Sequence, residues 1–319
     1  MTGKRILVTL SALMIFTLTG CEKYLEYEGE DAIPRLVLNG TFSPDSAFSV
    51  ELSNSQGYIS NGSINTIPYG KVAVYSANDE FIDSLHHSGN GIYQSSAIAE
   101  PGTVYTVRAS AGTLGSLSAS DFAPVAVPIA NWDTTTVSIT EYDYTTNKIQ
   151  VDYTINDPSN AENFYIVEVY RTESYYLDYQ YDPITGTTII DTIYYDEPYS
   201  YLTGFSTSDP ILLSEVELSL DETLYYANSL PYSDEVFNGN TQTFSILVDP
   251  YYSQSTGAIL ELRLTTCSEA YYKYTRTLQS YYNTEGDPFA QPVQVFTNIE
   301  NGGLGIWAGS SSFSVEIGN

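Results

Sequence analysis

Apolar and polar positions alternate along most of this chain. Phe48, Val50 and Leu52 alternate with Ser49, Glu51 and Ser53, the period of a strand with one buried face. Arg35 to Asn39 reads as a short apolar strand ahead of them, and Val72, Val74 and Tyr75 supply another. Ile92 and Tyr93 follow the turn signal Gly89, Asn90, Gly91, and Val104, Tyr105 and Val107 follow Pro101 and Gly102. Leu114 to Ser118 closes the block. About seven short strands at near-regular turn spacing predict an immunoglobulin-like sandwich over residues 33–125. Phe122 to Trp132, with Pro124 and Pro128, reads as the boundary.

The second block, residues 131–319, predicts a larger β-rich domain with one helix. Ile149, Val151, Tyr153 and Ile155 alternate strictly, as do Phe244, Ile246 and Val248. Phe164 to Tyr170 is a near-continuous apolar run around Glu168. Leu260, Leu262 and Leu264 share one face, with Glu261 and Arg263 on the other. The helix is expected over 268–283. Ser268 caps it, Tyr271, Thr275, Leu278 and Tyr282 form its stripe, and Gly286 and Pro288 stop it.

Ahead of both blocks the pattern is that of an export signal. Lys4 and Arg5 precede an apolar run from Ile6 to Leu18. That run is shorter than the ~20 apolar residues a membrane-crossing helix needs. It ends in Leu18, Thr19, Gly20 and Cys21, which resembles the bacterial lipobox, whose cysteine is lipidated and opens the mature chain. Residues 1–20 are thus read as a signal peptide and Cys21 as the lipidation site. Residues 21–32, with Glu22, Glu26, Glu28, Glu30 and Asp31, are read as an acidic tether. More than one acyl chain gives stable anchoring, so the outer membrane is the expected partner through Cys21, at its cell-surface or periplasmic face. The acidic stretch resembles a surface-export signal of one group of Gram-negative bacteria, and reads equally as a solvated linker.

Charge and composition narrow the chemistry. The 319 residues carry 39 Asp and Glu against 11 Lys and Arg, a formal charge of −28. Such a chain repels polyanions, which excludes nucleic acid as a partner. With Cys21 lipidated, Cys267 is the remaining thiol; it closes an apolar strand, has no histidine near it in sequence, and reads as a core residue. His86 and His87 are adjacent, so a strand would point them to opposite faces and they cannot share a metal. No Gly-x-Ser-x-Gly elbow, His-Glu-x-x-His motif, Cys-x-x-Cys pair or phosphate-cradling loop is present. Asp157, Asn160, Glu162 and Asn163 form a polar loop that reads as a turn before it reads as a calcium site, and Gly302 to Gly305 as a tight turn. No cofactor, metal site or catalytic residue is expected.

Four segments carry a resemblance over nearly the whole mature chain: Leu36 to Asp45, Ser268 to Tyr274, Asp287 to Val293, and Asn298 to Trp307. Together they are similar to a Bacteroidetes lipoprotein family known as domain of unknown function 4249. The resemblance implies a lipobox, an N-terminal sandwich, a larger C-terminal domain and association with TonB-dependent outer-membrane receptors. It implies no catalytic residue. One departure is the doubled glycine, Gly302 and Gly303, where the family more often has one.

Tyrosine is the compositional outlier: 30 Tyr against 12 Phe and 2 Trp. Tyr175, Tyr176, Tyr179 and Tyr181, then Tyr194, Tyr195, Tyr199 and Tyr201, crowd one stretch. Tyrosine offers rigid amphipathic contact area at low entropic cost. The stretch is therefore a candidate binding surface for a protein, peptide or glycan, or else a hairpin whose rings cover their own sheet. The sequence thus predicts a non-enzymatic, lipid-anchored outer-membrane protein, an accessory or docking partner of a TonB-dependent receptor in nutrient capture. The alternative is a surface glycan-binding or adhesion lipoprotein; a hydrolase built on two close carboxylates is a third reading. Asp45-Ser46, Asp83-Ser84, Asp133-Thr134 and Asp191-Thr192 also resemble an O-glycosylation motif of the same bacterial group.

Overall fold

The computed structural model describes residues 33–57, 64–141, 144–159, 161–214, 216, 224–250, 258–284, 289–291 and 293–318. The expected leader, Cys21, the tether and Asn160 lie outside the described residues. The chain divides into a unit of Pro34–Gln56 with Ser60–Asn319 and a unit of Met1–Ile33 with Gly57–Ile59. Only Ile33 and Gly57 of the latter are described, so the account below concerns the former.

This unit is mainly β, with one α-helix among the described residues. The early strands are β1 (Leu36–Phe42), β2 (Ala47–Asn54), β3 (Asn65–Thr66), β4 (Lys71–Ser76), β5 (Phe81–Gly89), β6 (Ile92–Ile98), β7 (Val104–Ser110) and β8 (Ser116–Phe122). Then come β9 (Ile129–Glu141), β10 (Tyr144–Asn156), β11 (Phe164–Asp182), β12 (Thr187–Thr203), β13 (Phe205–Thr207), β14 (Tyr225–Ala227) and β15 (Ser229–Ser233). The chain ends in β16 (Thr241–Val248), β17 (Ile259–Cys267), α1 (Glu269–Thr284) and β18 (Leu304–Gly318). One continuous sheet runs β12-β11-β17-β18-β1-β2-β6-β5-β4-β7-β8, with β15 on β11 and β3 on β2; a second runs β14-β13-β16-β10-β9.

The alternation read from the sequence becomes two apolar cores. Phe48, Val50 and Leu52 of β2 face Val72, Val74, Val107 and Leu117 in the first. Val151, Tyr153 and Ile155 of β10, with Phe244 and Ile246 of β16, face Tyr165, Val167, Leu262 and Leu264 in the second. Strand β18 serves both. Its first half pairs in parallel with β1, Val37 to Leu304 through Phe42 to Gly309, and its second half pairs antiparallel with β17. Ile299 and Trp307, far beyond the expected boundary at Phe122 to Trp132, therefore pack in the first core.

Two local expectations are corrected. Leu114 does not begin a strand: Gly112–Leu114 is a short 3-10 turn, and β8 starts at Ser116. Gly112 and Gly115, with φ of 50° and 84°, reverse the chain there. In α1 the buried residue is Tyr272, outside the expected stripe, while Tyr282 lies in solvent. The cause is the cap. Tyr271 N–H donates to Ser268 Oγ at 3.2 Å, Ser268 Oγ also bonds Asp121, and Gly309 N–H donates to the same carboxylate at 3.0 Å. That fixes the first turn so that Tyr272 meets Phe164 at 4.7 Å between ring centroids, beside Ile166 and Cys267. Burial holds the Asp121 carboxyl above its ordinary range despite these bonds.

Candidate interaction surface

The eight tyrosines singled out by composition lie on one hairpin, four on β11 and four on β12. From Phe164 to Thr172, β11 is flanked by β17 on one side and by β15 and then β12 on the other. Beyond Thr172 its only partner among the described residues is β12, so Glu173 to Tyr199 forms a two-stranded ribbon. At about 3.3 Å per residue the ribbon reaches roughly 30 Å from Glu173 to its turn. Every residue from Thr187 to Ser200 is exposed.

The root of the ribbon is fixed. Arg171 Nε donates to Glu173 Oε1 at 2.8 Å in a buried ion pair, and Tyr201 Oη donates to the same oxygen at 3.0 Å. The turn is fixed as well: Asp182 accepts from Ile184 N–H at 2.8 Å and Thr185 Oγ1 at 2.7 Å, which holds its carboxyl below the ordinary value. Gly186, at φ 71°, completes it. Between root and turn the cross-strand contacts are aromatic. Tyr175 and Tyr194 are in register with ring centroids 5.2 Å apart. Tyr176, Tyr195, Tyr199 and Tyr201 form a chain of rings at 5.6, 6.3 and 5.5 Å. The register slips between Glu173 and Tyr175, and the bulge on β12 carries Asp196 and Glu197.

Six of the eight expected residues, Tyr176, Tyr179, Tyr181, Tyr194, Tyr195 and Tyr199, are exposed, Tyr181 by 67% and Tyr194 by 70%. Tyr175 and Tyr201 are half-buried. The sequence reading passed over Ile184, Ile189, Ile190 and Ile193, which are exposed on the same ribbon. For the last three the signal is the run Thr187 to Ile193, apolar at positions a one-sided strand would keep polar. No Lys or Arg occurs between Arg171 and Arg263, so the ribbon carries only negative charge. Asp178 and Asp191 stand directly opposite each other in the ladder, a like-charge pair that weakens it.

The remaining candidates are structural. His87 accepts from Gly91 N–H at 3.3 Å and lies 5.2 Å from the Tyr93 ring, bracing the β5–β6 turn. Cys267 is buried and burial pushes its thiol upward. In the polar loop, Asp157 accepts from Gly239 N–H at 2.7 Å and from Tyr165 Oη, and Asn163 donates backbone and side-chain N–H to Asp234 Oδ2 at 2.9 and 3.1 Å. These bonds staple two loops. Burial raises the Asp234 carboxyl above its ordinary value, and its Oδ1 has no partner among the described residues. No cluster of three or more metal-ligating side chains occurs among the described residues. No helix among them is long and apolar enough to cross a membrane.

Two of the segments that carried the family resemblance meet as one seam. The Asn298 side chain imitates a strand partner, donating to Trp307 O at 2.7 Å and accepting from Trp307 N–H at 3.1 Å. Trp307 is fully buried, stacks on Phe42 at 4.4 Å and donates Nε1–H to Tyr105 O at 3.0 Å. Gly40 faces it across the ladder, where a Cβ would lie 3.0 Å from the indole and 2.6 Å from Val50. Asn301 and Gly302, at φ 60° and 79°, make the tight turn that precedes β18. Asp287, Pro288 and Pro292 of a third segment lie outside the described residues.

Comparison with known proteins gives one result. No curated protein and no solved structure matches the chain significantly. A family profile matches residues 22–316, nearly the whole sequence, and on that match the chain belongs to the family described as Domain of unknown function (DUF4249).

Proposed function

We propose that this protein is a non-enzymatic lipoprotein of the outer membrane, anchored through Cys21, and that it docks onto a TonB-dependent receptor in nutrient capture. The observation that carries the reading is the ribbon from Glu173 to Tyr199. A two-stranded hairpin standing clear of its sheet is marginal in water. One that exposes tyrosine and isoleucine together is the kind of apolar patch that marks an interaction site. Its opposed carboxylates, Asp178 and Asp191, lose their mutual cost once a cationic partner surface lies across them. Lipid anchoring confines the protein to the plane of its receptor, which raises effective concentration so that modest contacts suffice.

The test is purification of the tagged lipoprotein from mildly solubilised outer membranes. A TonB-dependent receptor recovered at near-equal amounts supports docking; a protein recovered alone contradicts it. The chain of contacting rings from Tyr176 to Tyr201 also favours a second reading, a surface glycan-binding or adhesion lipoprotein, since saccharide rings stack on such aromatic rows. Binding of neutral polysaccharides that disappears with the ribbon tyrosines would select it.

A further inference from the structure

The outward face of β5, β4, β7 and β8 holds a concavity of about 570 Å³, within the size range of small-molecule sites. Its composition runs against that of the chain. No Asp or Glu lines it among the described residues, yet Lys71, Arg108 and His86 do. The ladder explains the convergence. Lys71 stands opposite Ser110 and Ala73 opposite Arg108, so the two cations occupy diagonal positions on adjacent strands, about 7–8 Å apart at the backbone. Val72 pairs with Leu85, which places His86 in the Lys71 row. Buried Val72, Leu85, Ala109 and Leu117 alternate with these outward residues and fix the orientation.

The floor between the cations is low and hydroxylated. Ala73 is its centre, Ser84 and Ser118 complete the Arg108 row, and Ser110 and Ser116 the Lys71 row. Asn301 closes one end, with Nδ2 on Ser118 Oγ at 3.2 Å. Tyr75 stands at the other end, with the Arg108 guanidinium 4.5 Å above its ring. Arg108 also pairs with Asp79 of the β4–β5 turn, but both side chains are about half-exposed, and an ion pair in that setting exchanges readily for another anion. Lys71 has no ion-pair or hydrogen-bond partner among the described residues. The Glu300 carboxylate, on Ser118 Oγ at 3.4 Å, limits the site beyond Asn301.

We propose that this face binds a short saccharide bearing an oxyanion, a carboxylate or a sulfate. Lys71 and Arg108 take the charged group, the serines and Asn301 take ring hydroxyls, and Ala73 leaves room for the ring. The formal charge of −28 disfavours a long polyanion. Screening over ~8 Å in physiological salt leaves the local cations in control of a small one. The site is remote in sequence from the tyrosine ribbon and does not depend on docking.

Calorimetry on the full chain in detergent tests it, with a galacturonate disaccharide, a sulfated galactose disaccharide that holds no carboxylate, a neutral disaccharide and inorganic sulfate as probes. At least one acidic disaccharide should bind, and which one does tells carboxylate from sulfate. The neutral sugar and inorganic sulfate should bind at least 10-fold more weakly. The Lys71→Ala, Arg108→Ala double variant should lose 10-fold or more with an unchanged melting temperature. Ala73→Trp, which keeps both charges but fills the floor, should also abolish binding. Both variants should still co-purify with whatever the wild type brings from the membrane. Equal binding of the neutral sugar or of sulfate alone, undiminished binding by either variant, or no binding of any probe would overturn the proposal.

Discussion

The seam between β1 and β18 and the ribbon of β11 and β12 are built on opposite plans. The seam is a parallel pair closed across most of the chain, with Trp307 at its centre and three glycines, Gly40, Gly305 and Gly309, where no side chain fits. The ribbon is an antiparallel pair closed by a local turn, with large side chains on both faces and solvent around them. Burying an aromatic the size of Trp307 is worth about 4–6 kcal/mol at ~25 cal/mol per Å². The ribbon removes little apolar surface from water and relies on its root at Arg171, Glu173 and Tyr201. The residues that identify the family thus hold the fold, whereas the residues that make the composition unusual face outward.

That contrast can be broken at either end. The largest effect is expected from Gly305→Ala. The residue sits at φ 104°, and a Cβ there would lie 2.0 Å from Leu38 O. The variant should fail to close β18 on β1 and should be recovered unfolded or proteolysed. Trp307→Ala should lower unfolding free energy by about 3–5 kcal/mol, read as a lower urea midpoint. Asn298→Ala removes both bonds to the Trp307 backbone and should cost about 1–3 kcal/mol by the same measurement.

A smaller effect concerns pH. Burial raises the folded-state Asp234 carboxyl above its ordinary value. The folded state therefore holds this proton more tightly than the unfolded state, so Asp234 contributes stability at low pH that is lost as pH rises through its folded value. Urea unfolding at about pH 4.5 and 7.5 should show a smaller loss on raising the pH for Asp234→Asn than for the wild type. An equal loss would remove that assignment. The smallest stability effect is expected on the ribbon. Tyr194→Ala, Tyr195→Ala and Tyr199→Ala together should shift the melting temperature by no more than about 2–4 °C. The same triple should weaken receptor association by about 100-fold, as loss of central tyrosine contacts does.

Much of the architecture was legible because strand alternation is local. Val151, Tyr153 and Ile155, and Leu260, Leu262 and Leu264, are buried as their period predicts. Ser268 was legible as a cap because its hydroxyl sits three residues before Tyr271. The helix face was not, since the partners that choose it, Phe164 and Asp121, are more than 100 residues away in sequence by any rough count and carry no local signal. The sharing of β18 between two cores was hidden for the same reason. Trp307 reads as one apolar position among several until β1 lies beside it. Tyrosine crowding pointed to the ribbon. What it could not show was that β11 outruns β17 past Thr172, which is what leaves the rings exposed. The cationic face was missed because Lys71, His86 and Arg108 are isolated in sequence and meet only through the β5-β4-β7 ladder.

The most direct measurement shortens the ribbon and asks what the protein then carries. Glu173 and Tyr199 are cross-strand partners, so residues 174–198 can be replaced by Asn-Gly, the two-residue turn suited to a hairpin. On the proposed docking, the shortened protein, expressed with its own leader and purified from outer membranes beside the wild type, should be folded and anchored, and should lack a receptor that the wild type brings down. Recovery of the receptor in equal amount with the shortened protein would contradict the account.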